Sequence, residues 1–241
     1  MDTTKQQRDI TLGSGEERVE KSMEVFVPAF VDDAMFKYFT YHHSPEKRKV
    51  LLRVLLHLFS QLGCAGGGTL LEADGWGACA VYLPPGKAIP MLTAIFHRGV
   101  LAALLQLGFS SCKRAYTDYL KLVDGLKRKH MTAEERRNGY GYLAVIGTAP
   151  ARQGHGLGSV LLRRMQEMAG DRPIWLEASS MGSRRLYERH GFVVVEEVVL
   201  GRGRVGVDGL TPAQGGGEEA VGVTFWAMVW RRAEKEFATG Q

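Results

Sequence analysis

Long apolar runs are missing from this chain of 241 residues. Without about 18 consecutive apolar residues, no membrane-spanning helix is expected. The first 25 residues are polar and of mixed charge, and they lack the apolar core of a secretory signal. Cysteine is scarce. Cys64, Cys79 and Cys112 are odd in number and have no metal-ligand spacing, so neither a disulfide framework nor a metal site is expected. Reduced thiols fit a cytoplasmic protein, and a nuclear one equally. An excess of one charge is also absent: 31 Lys and Arg stand against 26 Asp and Glu, a net +5. That balance favours an anionic ligand but is too diffuse to imply nucleic acid. No internal repeat is present. With 45% hydrophobic residues, the chain has apolar material for one large domain or two small ones.

Periodicity gives the organisation. A short strand is expected at 10–12. Ser14 followed by Glu17 suggests a capping box, with Val19, Met23, Val25, Phe26 and Phe30 at helical spacing behind it. Further helices fit 33–39 and 45–62, the latter stopped by Gly63 and Gly66 to Gly68. Strands at 69–73 and 77–83 flank an Asp74-Gly75 turn. A helical middle follows over 84–139, strongly apolar from 89 to 107 and more charged from 110 to 129. Its basic cluster, Lys127 to His130 with Arg136 and Arg137, is expected to be a solvated helix end. The most regular part comes last: strand 140–148, helix 156–169, strand 173–178, helix 182–190, strand 192–200 and strand 223–230. Residues 201–222 hold eight glycines and are expected to connect the last two strands loosely. Residues 1–7 and 233–241 are expected to be flexible tails on one domain spanning 8–232.

The loop after the strand at 140–148 carries glycines at 154, 156 and 158 and runs directly into an amphipathic helix. Such a turn gathers unbonded backbone N–H groups at the positive end of a helix dipole, where phosphate or pyrophosphate binds well. No lysine follows the glycines, which excludes the P-loop. The dinucleotide fingerprint has its first two glycines at 154 and 156, but Ser159 stands where the third belongs. Glu177 lies near the position of a ribose-binding acid, yet too few strands follow to complete a doubly wound sheet.

A third pattern is complete. Gln153-x-x-Gly156-x-Gly158, preceded by a strand and Pro150, matches the loop that grips the pyrophosphate of coenzyme A. Downstream, Ser183-Arg-Arg-Leu186-Tyr187 followed by Gly191-Phe192 is similar to Asn-x-x-Leu-Tyr-x-x-x-Gly-Phe. In these two motifs the chain resembles the GNAT superfamily of N-acetyltransferases. Residues 29–33, the basic helix after Pro45 and residues 81–86 look like the puromycin N-acetyltransferase-like branch. The resemblance implies one α/β domain: a mixed central sheet with splayed middle strands, helices on both faces, and a helical insertion at 84–139 on the substrate side. It implies acetyl-CoA as co-substrate, held by 140–230.

The site residues follow from the same resemblance. The coenzyme would be held by Ile146, Gly147 and Thr148 on the strand, Gln153, Gly154, His155, Gly156, Leu157, Gly158 and Ser159 in the loop, and Ser183. Ser183 replaces the family's asparagine with a shorter hydrogen-bonding group. The N–H near Ile146 would polarise the thioester carbonyl. Tyr187 is the candidate general acid for the leaving thiolate, the alternative being a packing tyrosine. Glu177 is the candidate general base, directly or through water, the alternative being a salt bridge to Arg184 or Arg185. Asp32 and Asp33 are placed on the substrate side, where they would attract a cationic amine, and the apolar run at 91–107 is either a pocket wall, plain core or a dimer surface. The expected reaction is direct acetyl transfer to a primary amine in a ternary complex, by a monomer or homodimer. The acceptor is a small molecule, with a protein acceptor left open. A non-catalytic acyl-CoA-binding module is the competing expectation.

Overall fold

Side-chain alternation in the strands sorts the core into two layers. The computed structural model describes residues 9–90, 93–97, 99–214 and 219–232, so both expected tails lie outside the described residues. The sheet contains β1 (Ile10–Gly13), β2 (Thr69–Ala73), β3 (Ala78–Leu83), β4 (Gly141–Thr148), β5 (Ile174–Ala178), β6 (Phe192–Leu200) and β7 (Val223–Trp230). Its order is β1-β2-β3-β4-β5-β7-β6, with β4 and β5 parallel and the other neighbours antiparallel.

Ile174, Leu176 and Ala178 of β5 join Trp226 and Met228 of β7 on one face, whereas Trp175 joins Phe225, Ala227 and Val229 on the other. This is the period-2 pattern of a sheet buried on both sides. The first face is covered by α7 (Leu157–Ala169) and α8 (Met181–Glu188). The opposite face is covered by α1 (Glu16–Phe30), α2 (Ala34–Thr40), α3 (Pro45–Ala65) and the helical middle. Trp175 is fully buried there, and truncating it to alanine would cost about 3–5 kcal/mol.

The helical middle consists of α4 (Val100–Lys113), a π-helical stretch (Arg114–Leu120), α5 (Lys121–His130) and α6 (Ala133–Asn138). The helix expected from 89 begins only at Val100. Ahead of it lie Pro90 and a short 3-10 turn (Ala94–Phe96), and Gly99 enters α4 at φ 79°. Met91 and Leu92 lie outside the described residues. Leu107 and Val100 are core, while Leu101, Leu105 and Phe109 are exposed.

Two local expectations are corrected. Ser14 does not cap α1, because the N-cap is Gly15 at φ 130° and no side chain bonds the first turn. Lys127 is not a solvated helix-end cation. Its ammonium lies 3.7 Å from the centre of the Tyr142 ring, and loss of water pulls its pKa below the ordinary lysine value. Its neighbours Lys129 and His130 do reach outward, to Glu196 on β6. Among the described residues, no helix is long and apolar enough to cross a membrane.

Candidate active site

A bulge opens the sheet. Against β3, Val145 pairs with Val81 and Leu143 with Tyr82, leaving Ala144 unmatched. Leu143 and Ile146 therefore pack against the α7 face, while Ala144 and Val145 both join the α1 face. An extra residue of this kind bends its strand and increases local twist. On the other edge, β4 registers with β5 at only two positions, Gly141 with Ile174 and Tyr142 with Trp175. β5 meanwhile stays paired to β7 as far as Ala178. The two central strands thus part beyond Tyr142, and residues 143–148 show β5 no partner strand.

A cleft of about 560 Å³ fills the opening, bounded by residues from both faces of the sheet. At one end stands the glycine loop. Gly154 has φ 78°, and Gly156, the N-cap of α7, has φ 76°, a left-handed conformation that glycine adopts without the steric penalty of a Cβ. At Gly158 an added Cβ would stand 3.2 Å from Leu186 of α8, so this glycine lets the two helices approach. α7 has no side-chain cap and no acidic residue in its first turn. Its backbone ladder starts with the Val160 N–H donating to the Gly156 carbonyl. The N–H groups before it are left for a ligand, at the positive end of the helix dipole.

Ile146, Gly147, Thr148, Gln153, Gly154, Gly156, Leu157, Gly158, Ser159 and Ser183 all line this cleft. Their chemistry differs from residue to residue. The Gln153 amide donates back to the Thr148 carbonyl, tying the loop to the end of β4. Ser183 is engaged at the start of α8: its hydroxyl donates to the Ser180 carbonyl, and Ser180 and Ser183 cap each other reciprocally. His155 is not on the wall. It is exposed, with Nδ1 against the Arg152 and Gln153 carbonyls. Arg152 and Arg189 bring cations to this end, although Arg152 is paired with Asp74.

Tyr187 and Glu177 meet at the same cleft from opposite faces of the sheet. Tyr187 packs against Phe192 at 5.8 Å between ring centres. Burial raises its pKa above the ordinary tyrosine value, and the carboxylates of Glu177 and Asp33 add to the shift, so the phenol keeps its proton. Glu177 makes no salt bridge to Arg184 or Arg185; Arg184 pairs with Glu188 instead. Its carboxylate accepts three hydrogen bonds, from the Trp175 indole on one oxygen and from Tyr142 (3.0 Å) and Tyr119 (3.3 Å) on the other.

Of the two aspartates, only Asp33 reaches the cleft. It caps α2 through the Met35 and Phe36 N–H groups and accepts from Ser179 at 2.6 Å. Burial is the largest influence on it and lifts its pKa above the ordinary aspartate value. Asp32 points into solvent and pairs with Lys37. The run at 91–107 adds no described residue to the wall. The helical middle contributes through Tyr119, from its π-helical stretch, and Phe36, Phe39 and Phe59 complete an aromatic end. None of the three cysteines lines the cleft. Among the described residues, no group of three or more His, Cys, Asp and Glu is arranged to hold a metal ion.

Residues 107–192 match the model of the acetyltransferase (GNAT) family. An uncharacterized N-acetyltransferase of Schizosaccharomyces pombe is 24% identical over 187 residues, covering 76% of this chain and 74% of the relative. The mycothiol acetyltransferase of Geodermatophilus obscurus is 41% identical over 51 residues, 20% of this chain and 17% of that protein. Among solved structures, a histone acetyltransferase HPA2 and related acetyltransferase from Corynebacterium glutamicum superposes with a TM-score of 0.56 at 22% identity, over 94% of this chain and 97% of that one. Arylalkylamine N-acetyltransferase 2 from Aedes aegypti gives 0.53 at 14%, over 92% and 99%. At these identities the structures share the fold. None of these four proteins is named as a puromycin acetyltransferase.

Proposed function

We propose that this chain, a member of the GNAT superfamily of acetyltransferases, moves an acetyl group from acetyl-CoA to a primary amine of a small molecule by direct attack. One observation carries the reading. β4 and β5 part after two register pairs, and the gap between them brings an uncapped helix N-terminus, Tyr187 and Glu177 to one cleft.

The fit to coenzyme A rests on this chain's own groups. Free N–H groups over 156–159 suit a diphosphate, and the unpaired β4 edge suits the amide-bearing pantetheine arm, which can hydrogen-bond there as a strand would. Bound acetyl-CoA supplies the activated acetyl thioester. Glu177 takes a proton from the acceptor ammonium, leaving a neutral nucleophile. Its Trp175, Tyr119 and Tyr142 partners fix the carboxylate's orientation. Tyr187, protonated by virtue of its burial, donates to the departing sulfur, and the second proton shed by the nitrogen as the amide forms restores the phenol. The walls exclude water, which would otherwise compete with the amine. No cysteine stands at the cleft to carry an acetyl group, which favours direct transfer over a covalent enzyme intermediate.

The test is thiol release from acetyl-CoA over a panel of amines, with Tyr187→Phe as control. Turnover that falls in the variant supports the reading. Acetyl-CoA binding without turnover on any amine would favour a binding module instead, and no binding at all would overturn both.

A further inference from the structure

The acceptor end of the cleft carries two carboxylates and no cation paired with either. Asp33 bonds two backbone N–H groups and the Ser179 hydroxyl, and Glu177 bonds an indole and two phenols. All six donors are neutral. Lys37 pairs with Asp32 and Lys127 sits over the Tyr142 ring, and they act on Asp33 and Glu177 respectively only at a distance, with no salt bridge to either. Both carboxylates line the same cleft, and Ser179, which donates to Asp33, stands two residues along the chain from Glu177. Carboxylates withdrawn from water with no cation in contact are costly, and a cationic ligand offsets that cost.

The remaining wall of that end is aromatic. Phe36 stands edge-on to Phe30 (5.3 Å between centres), Phe39 (6.3 Å) and Phe59 (6.4 Å), and Phe39 continues to Tyr119 at 5.6 Å. Such an array binds a flat apolar body by area and by edge-to-face contact, and it offers hydrogen bonds to almost nothing.

We infer that the acceptor is a monocationic primary amine carried on an aromatic body, with Asp33 binding the ammonium and the Phe36-centred ring array holding the body. This rests on the acetyltransferase reading above and narrows its substrate. The wall disfavours three other amine classes on physical grounds. An amino acid brings a carboxylate against two others. A polyamine buries a second ammonium where no third acid waits. A lysine-bearing peptide brings backbone amides that the rings leave unbonded. Asp33 is assigned to cation binding, and Glu177, held by two tyrosines and a tryptophan, to the proton.

Phenethylamine and phenylalanine are a matched pair that differ by one carboxylate. Thiol release should favour phenethylamine in kcat/KM by about 100-fold or more, and favour it over putrescine and over a lysine-containing peptide. Asp33→Asn preserves the helix cap, since asparagine caps as well as aspartate, and it should fold. It should raise KM for phenethylamine about 10- to 100-fold, the loss of one charge-assisted hydrogen bond, with kcat changed much less. A melting curve checks the fold, and Phe59→Leu gives a second variant that should erode the preference for the aromatic body alone. Calorimetry of phenethylamine binding, read without turnover, separates this inference from the parent reading. Weaker binding in Asp33→Asn supports it even in a chain with no transferase activity. Phenethylamine binding no tighter than phenylalanine, or turnover fastest on putrescine or the peptide, overturns it and leaves the acetyltransferase reading standing.

Discussion

Glu177→Gln separates a catalytic carboxylate from a structural one. In the wild-type chain one oxygen accepts from the Trp175 indole and the other from Tyr119 and Tyr142. An amide can keep all three contacts. Its oxygen turns to the indole, which only donates, and its NH2 faces two phenol oxygens that can accept. The structural price is three charge-assisted bonds becoming neutral, about 1 kcal/mol each, offset by removal of a partly desolvated charge. The net change in stability should stay within about 2 kcal/mol, a shift of a few degrees in Tm for a chain of this size. Losing a general base should lower kcat/KM about 10²- to 10⁴-fold, or roughly 3–5 kcal/mol at the transition state. The assay is thiol release across pH on whichever amine the wild type turns over. Without an internal base only the free amine reacts, so the variant's rate should climb about tenfold per pH unit towards the amine's own pKa, about 10.4 for an alkylamine. A folded Glu177→Gln enzyme within threefold of wild type, with an unchanged pH profile, would refute the assignment and leave Glu177 as an anchor for three aromatic side chains.

Tyr187→Phe should keep the fold, because the ring packs on Phe192, and lower kcat about 100-fold or more as the proton donor is lost; wild-type-like turnover would make it a packing residue. Gly156→Ala forces a Cβ into the left-handed N-cap of α7, a strain of about 1–2 kcal/mol, and calorimetry should show coenzyme A binding weakened about tenfold with amine KM little changed. Asp33 gives a pH dependence of stability. Its pKa is raised by burial in the folded chain, so the fold holds that proton more tightly than the unfolded state does. The resulting stabilisation is present below the unfolded pKa of about 3.9 and is lost as pH rises through the raised folded value. Melting curves should therefore place Asp33→Asn more favourably relative to wild type at pH 7.5 than at pH 4, and the opposite order would contradict the shift. Lys127→Met replaces a desolvated cation over Tyr142 with an apolar chain of similar length. Stability should hold or rise, while kcat/KM falls several-fold through loosening of Tyr142 against Glu177.

The two halves of the site were unequally legible, for a reason of chain geometry. The donor end is local. Strand, loop and helix run continuously through 141–169, and the spacing of Gln153, Gly156 and Gly158 sets all three on one wall of the cleft. Tyr187 follows on a helix whose Leu186 packs near Gly158. Spacing in the sequence became spacing in space with little left to tertiary structure, and the strand boundaries at 192–200 and 223–230 match those expected from alternation. His155, expected in the same loop, stands off the cleft wall with its side chain exposed.

The acceptor end is assembled from segments that sequence keeps far apart. Asp33 starts α2, Phe59 lies in α3, Tyr119 in the π-helical stretch, Tyr142 at the last paired position of β4, and Glu177 near the end of β5. Each has an ordinary local role, as cap, helix-stripe or strand residue, and that role accounts for its type without reference to a ligand. What brings them to one wall is the parting of β4 from β5 beyond Tyr142, beside the unmatched Ala144, while β4 stays paired to β3 as far as Thr148. A one-residue insertion in strand register leaves almost no trace in hydropathy, since both Ala144 and Val145 are apolar. The same parting separates the chemistry. Tyr187 comes from α8 on one face and Glu177 points towards the other, so the proposed acid and base would approach the gap from opposite sides and need not quench each other through a direct hydrogen bond.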